Sequence, residues 1–264
     1  MSKTESIILA AGYSSRFNFD DESYKKYLLP FERSNIINYI IAAMVKAGIS
    51  KINIVVDDKV SQTQIVNSCE TFFKNIVIET PTLNFVINKY SERENGYSLF
   101  LGIQEVSSEL FILSMADHIF TDNIYLHLIN NYNNNDIILA TDPMKIEGIY
   151  DLDDCTKIYG TNSQIEKIGK KISAYNRLDM GAFIMKTHPI REISQNIEGC
   201  MEKFGVSDIV KSAIDLKLDV GFLDFPDTLW LDIDNHFEYN KLNKIFSNSN
   251  KFRPFDLDYF DEKL

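Results

Sequence analysis

Residues 6–30 read SIILAAGYSSRFNFDDESYKKYLLP, and the fold is decided there. Ile7, Ile8 and Leu9 are apolar at consecutive positions, the pattern of a strand buried on both faces in a parallel sheet. The run passes directly into Ala10, Ala11, Gly12, Ser14 and Ser15, small residues whose backbone amides can stand exposed and cradle phosphate. Arg16, Lys25 and Lys26 follow, adding guanidinium and ammonium donors for the same polyanion. The stretch lacks the Gly-Lys-Ser/Thr end of a P-loop and has no GxGxxG, which sets aside ATPase and dinucleotide-dehydrogenase readings. A nucleoside-triphosphate site is expected at the carboxyl end of this first strand.

Working outward, Ser34 is the expected N-cap of a helix carrying Ile36, Ile37, Tyr39, Ile40, Ile41, Met44 and Val45, and Gly48 ends it. Residues 51–56 (KINIVV) then close a βαβ unit; residues 61–73 read as a helix, and 76–78 and 85–87 as strands. This alternation predicts a three-layer, doubly wound α/β fold with a mostly parallel sheet, whose ligands sit beyond the carboxyl ends of the strands. Asn95-Gly96 is a turn signal, and Ser98 is the expected N-cap of the helix after it. Residues 110–117 (LFILSMAD) form the clearest central strand and end in Asp117-His118. A carboxylate at that tip faces the crevice and can hold a hard cation such as Mg²⁺, whereas the single histidine beside it is expected to be structural.

A smaller antiparallel part is expected roughly within 142–222, forming a lid and acceptor pocket. Residues 156–159 and 165–168 form its hairpin, residues 180–185 a further strand, and two helices lie between Gly199 and Val220. Residues 230–235 (WLDIDN) then alternate at strand period, placing Asp232 and Asp234 on one face. Two such carboxylates repel unless a cation lies between them, so a metal shared with Asp117 is expected. A helix over 237–246 closes a single domain of residues 1–246, and a polar tail runs from 247 to 264.

The 264 residues are 45% hydrophobic and 25% charged, enough for one sizeable α/β core. A formal charge of −11 argues against a nucleic-acid partner bound by bulk attraction. Cys69, Cys155 and Cys200 are odd in number and show no CxxC spacing, so neither a disulfide framework nor a zinc site is indicated. No leader pattern is present and no apolar run approaches ~18 residues, so no membrane span and a cytoplasmic location are expected. Oligomeric state is left open.

Leu9-Ala10-Ala11-Gly12, Ser14-Ser15-Arg16 and Lys26-Tyr27-Leu28-Leu29-Pro30 together resemble the signature of nucleoside-triphosphate transferases, which usually carry Gly where Ser14 stands and Pro where Lys25 stands. Residues 94–99 (ENGYSL), 115–118 (MADH), 151–157 (DLDDCTK), 168–170 (IGK) and 230–234 (WLDID) narrow this to a resemblance to inositol-1-phosphate cytidylyltransferases, in order over about 6–245. The resemblance implies an enzyme that transfers CMP from CTP to inositol 1-phosphate with Mg²⁺, releasing pyrophosphate. Leu9, Ala10, Ala11, Gly12, Ser14, Ser15, Arg16, Lys26, Asn95 and Ser98 would bind the nucleotide, Asn95 reading the base edge. Arg16 would hold the β- and γ-phosphates, Lys26 the α-phosphate, and Asp117 with Asp232 or Asp234 the metal, while Lys170, Asp179 and Lys157 would serve the acceptor. That family is often fused to a membrane synthase; a stand-alone enzyme is expected here. Alternative acceptors are phosphocholine, an aminoalkylphosphonate or a hexose 1-phosphate. An inactive regulatory subunit of the same fold is a further alternative, disfavoured because Arg16, Lys26, Asp117 and the Asp232/Asp234 pair are all present.

Overall fold

The computed structural model describes residues 4–14, 17, 25–75, 80–144 and 151–247. Ser15 and Arg16, the strand expected at 76–78 and the tail from 248 lie outside the described residues. Strand β1 (Glu5–Ala10) is buried at every position, as its apolar run requires. Its side chains alternate, with Ile8 and Ala10 entering one core and Ile7 and Leu9 the other. Ile7 and Ile8 are fully buried, each worth roughly 1.5–3 kcal/mol relative to exposure.

A short hairpin, β2 (Pro30–Phe31) with β3 (Ser34–Asn35), leads into α1 (Ile36–Lys46). Asn35 rather than Ser34 is the cap: its Oδ1 accepts the Asn38 amide at 3.2 Å, while Ser34 pairs with Phe31 in the hairpin. The chain continues through β4 (Lys51–Val56), α2 (Lys59–Asn75), β5 (Thr82–Ile87), α3 (Glu94–Ile103), β6 (Leu110–Met115), β7 (His118–Phe120), α4 (Ile124–Asn130) and β8 (Ile137–Asp142). Then come β9 (Lys157–Thr161), β10 (Gln164–Gly169), β11 (Arg177–Lys186), α5 (Thr187–Glu198), α6 (Val206–Asp215), β12 (Val220–Asp224), β13 (Trp230–Asp232) and α7 (His236–Ser247).

One sheet of nine strands runs β5-β4-β1-β6-β11-β8-β12-β10-β9. The four strands from β5 to β6 are mutually parallel, and β11 lies antiparallel between β6 and β8. Helices α1, α2 and α4 cover one face and α3, α5 and α6 the other, giving the three layers. The lid hairpin is continuous with this sheet, since β10 pairs with β12 and β9 with β11.

Two local expectations give way to packing. Helix α3 begins at Glu94, so Asn95-Gly96 sits in its first turn and Ser98 inside it. A Cβ on Gly96 would lie 2.5 Å from the Phe204 ring, and the Gly96 amide donates to the Phe204 carbonyl at 3.0 Å, so the glycine serves a close helix contact instead of a turn. Of the two helices expected between Gly199 and Val220 only α6 lies there; the other, α5, ends at Glu198. Among the described residues no helix is long and apolar enough to cross a membrane.

Candidate active site

Parallel neighbours β1 and β6 end side by side: the Ala116 amide donates to the Leu9 carbonyl at 3.1 Å. Residues 11–14 and Asp117 therefore leave the sheet together at its carboxyl edge, into a crevice of 1180 Å³. Leu9, Ala10, Ala11, Gly12 and Ser14 line it, and a Cβ on Gly12 would meet nothing within 4 Å, because the space beside that residue is the crevice itself. Ser14 holds φ +54°, the left-handed region that glycine enters without steric cost. Its hydroxyl accepts the Lys26 amide at 3.0 Å, tying the loop to the lysine turn and offsetting the strain.

The adjacent lysines part company. Lys25, expected to join the phosphate donors, is buried against Asp57 at 2.6 Å. Lys26 instead turns into the crevice, where Nζ bonds both Asp117 Oδ2 and Asp234 Oδ1. A short ribbon makes this convergence possible. β7 pairs antiparallel with β13, His118 opposite Asp232, and the Ile233 amide donates to the Asp117 carbonyl at 3.0 Å. Asp234 lies past the end of β13, so strand alternation does not place it; its amide is held by Glu238 Oε2 at 2.9 Å, which turns the chain back toward Lys26.

His118 is clamped on three sides. Nδ1 lies 2.9 Å from Asp117 Oδ1, the ring stacks on Trp230 at 5.8 Å, and Gly181 closes behind it. Gly181 is needed twice over, since its φ is +74° and a Cβ there would lie 2.7 Å from His118 Cδ2. His118 is thus held against Asp117 through Nδ1.

On the wall formed by α3, Asn95 Oδ1 accepts the Val206 amide at 2.9 Å, joining α3 to α6, and its amide group faces Met115 Sδ at 3.9 Å. Ser98 lines the same wall and accepts from Asn88 Nδ2 at 2.9 Å. On the lid, Lys170 borders the crevice paired with Asp154 at 2.6 Å. Lys157 is not among the lining residues; it is buried, and its Nζ donates to the Lys170 carbonyl at 2.9 Å, supporting that lysine from behind. Asp179 does line the crevice and accepts the Gly181 amide at 2.8 Å.

Residues 6–150 match the family model described as the MobA-like NTP transferase domain. The chain belongs to that family. It is 24% identical over 239 residues to the bifunctional IPC transferase and DIPP synthase of Aquifex aeolicus (strain VF5), covering 90% of this chain and 50% of that protein. A protein of the same description from Thermococcus kodakarensis is 22% identical over 241 residues, with the same 90% and 50% coverage. The chain thus spans about half the length of the curated relatives it matches. The inositol-1-phosphate CTP transferase structure from T. maritima superposes with a TM-score of 0.76 at 24% identity, covering 94% of this chain and 98% of that one. The fold is therefore that of nucleotidyltransferases.

The charge balance of this MobA-like transferase site is tight. Burial alone would push the Lys26 ammonium down, but Asp117, Asp232 and Asp234 outweigh it and hold its pKa above the ordinary lysine range. Burial would push Asp117 up, yet Lys26 and His118 keep it below the usual carboxylate range. His118 rises to about 9, the two carboxylates overcoming its burial. Asp232, burdened by burial and by Asp117 and only partly relieved by His118, rises to about 7. Burial also lifts Asp179, to about 6.

Ligand atoms of Asp117, His118 and Asp232 lie within 4.8 Å of one another. Asp232 Oδ1 is shielded from solvent and has no hydrogen-bond partner among the described residues. Among those residues its nearest cationic group is His118 Nδ1 at 3.8 Å, beyond hydrogen-bond reach, and a buried carboxylate oxygen so placed beside a second carboxylate is chemically matched to a hard divalent cation. Asp234 enters this group through Lys26, which it shares with Asp117. Gly181 and Trp230 were not among the site residues expected from sequence, although a glycine inside an apolar strand does signal close approach. Asp154, within the 151–157 segment, and Glu238 were not expected as site residues, because only the fold brings them to the crevice.

Proposed function

We propose that this chain transfers CMP from CTP to inositol 1-phosphate, giving CDP-inositol and pyrophosphate, with Mg²⁺ as cofactor. The observation that carries the reading is the convergence of Lys26 with Asp117, Asp232 and Asp234 at the carboxyl edge of β1 and β6, in a crevice that also holds the small-residue loop. The names of the T. maritima structure and of the IPC transferase relatives support the acceptor.

An oxygen of the acceptor phosphate attacks the α-phosphorus as the bond to pyrophosphate breaks, and both reactants are anions. Amides of the 11–14 loop and Arg16 would hold the triphosphate, and Lys26 would neutralise charge on the α-phosphate. Lys170 would place the acceptor phosphate, and the Asn95 amide the base. Asp117 and Asp232, joined by Asp234, would hold Mg²⁺, which when bound neutralises phosphate oxygens of both reactants. The attacking phosphate is already ionised, so no side-chain nucleophile is needed.

One observation favours a second acceptor class. The lid lysine is already paired with Asp154, and Asp151 and Glu238 line the same crevice. An acceptor carrying a cationic amine, such as phosphocholine or an aminoalkylphosphonate, would find compensation there. Pyrophosphate release measured for the four NTPs against inositol 1-phosphate, hexose 1-phosphates, phosphocholine and an aminoalkylphosphonate tests both. Release above background with CTP and inositol 1-phosphate alone is expected; release confined to an amine acceptor selects the second class, and none with any pair removes both.

A further inference from the structure

We infer that Lys26 occupies the cation position of the ligand-free site, so that the nucleotide must draw its ammonium away before a divalent metal can enter. The inference rests on the role proposed above for Lys26 at the α-phosphate, and it concerns the order of events at that site.

Lys26 Nζ bonds Asp117 Oδ2 and Asp234 Oδ1 at once, and its side chain is only 13% exposed. Asp117 is thus engaged on both oxygens, by Lys26 on Oδ2 and by His118 on Oδ1. A divalent ion placed against this carboxylate would sit next to an ammonium that already neutralises it, and two cations competing for one largely buried carboxylate repel. An ammonium drawn to a phosphate on the 11–14 loop, which lines the same crevice, would give up its bonds to these aspartates.

The backbone permits a change of partner without a change of fold. The Lys26 amide is fixed by Ser14 Oγ at 3.0 Å, and the residue opens a short 3₁₀ turn at Lys26–Leu28. Only the four-carbon stem has to swing. A triphosphate in the loop offers the ammonium an acceptor of higher charge than either aspartate. Its departure removes one positive charge from among three carboxylates, one of which already has a buried oxygen without a hydrogen-bond partner among the described residues. A divalent-cation site is then created at the moment phosphate oxygens are present to complete it. Because the coupling is an equilibrium one, metal strengthens nucleotide binding by the same factor that nucleotide strengthens metal binding.

Manganese binding to nucleotide-free protein, followed by electron paramagnetic resonance, tests this. Lys26→Met should bind Mn²⁺ at least ten times more tightly than the unsubstituted protein; equal affinities would overturn the inference. Should that variant not give a folded circular dichroism spectrum, the unsubstituted protein labelled with ¹⁵N at lysine side chains carries the test. Its Lys26 ammonium resonance should move on adding CTP in EDTA and stay in place with Mg²⁺ alone, and movement with Mg²⁺ alone would equally overturn it. The manganese measurement contains neither CTP nor acceptor, so it stays readable even if the substrate assignment fails.

Discussion

At one end of the crevice, Lys26 is 13% exposed and bonded to two aspartates; at the other, Lys170 is 55% exposed and bonded to Asp154. The residue types match and the physics does not. Breaking a buried, hydrogen-bonded ion pair leaves a charge that water cannot reach and costs about 3–5 kcal/mol, whereas an exposed pair contributes about 0–1 kcal/mol. Backbone also fixes the Lys26 end, through the ribbon of β7 with β13 and the Ala116 to Leu9 bond, while Lys170 and Asp154 flank the β9–β10 hairpin at the sheet edge and meet through their side chains. On the proposed function, acceptor contacts at the Lys170 end could vary without disturbing the charges gathered around Lys26.

The sharpest break is at the buried end. Lys26→Ala or Asp117→Ala should lower turnover ~100-fold or more, the usual worth of a positioned charge, with a folded protein by circular dichroism. Wild-type turnover in either variant would remove that residue from the reaction. Gly181→Ala comes next, because its Cβ must displace His118 and enter a backbone region that alanine disfavours. A loss of roughly 1–3 kcal/mol in urea unfolding and about a tenfold drop in kcat are expected; if both stay put, His118 does not hold Asp117. At the lid, Lys170→Ala should raise the acceptor KM about threefold to tenfold and leave kcat and Tm unchanged, in line with an exposed pair. An altered kcat with constant KM would show that the two ends are not separable.

The smallest effect lies at the opposite end of β1, away from the chemistry. Glu5 is buried, which raises its pKa, but Lys51 at 2.8 Å, Ser107 and Asn53 more than compensate and hold it below the ordinary glutamate range. Its contribution to stability is present above the unfolded value of about 4.3 and is lost as pH falls through the lower folded value. Glu5→Gln should therefore be less stable than wild type by about 1 kcal/mol at pH 7, the gap closing as pH drops below about 4. A gap independent of pH would mean that packing, not charge, accounts for it.

Much of the architecture was legible. The apolar runs at 7–9, 54–56 and 111–113 read as strands covered on both faces, which places helices on each side of a parallel core. Local signals misled where distant groups decided: Asn95-Gly96 reads as a turn until Phe204 packs on it, and Ser34 reads as a cap until a two-residue hairpin claims it. Residue type alone does not separate Lys25 from Lys26, which only the family resemblance told apart; in the fold the 3₁₀ turn sends one to Asp57 and the other to the crevice.

What the sequence alone determined is the alternation of the main strands and helices, the small-residue loop after β1 and the carboxylate at the tip of β6, because these follow from periodicity and from residue types carried by neighbouring positions. What only the tertiary structure decided is which charges meet. Asp117, Asp234 and Lys26 come together through β-ribbon pairing and a bend held by Glu238, and pairing between distant segments is an energy that no local stretch contains.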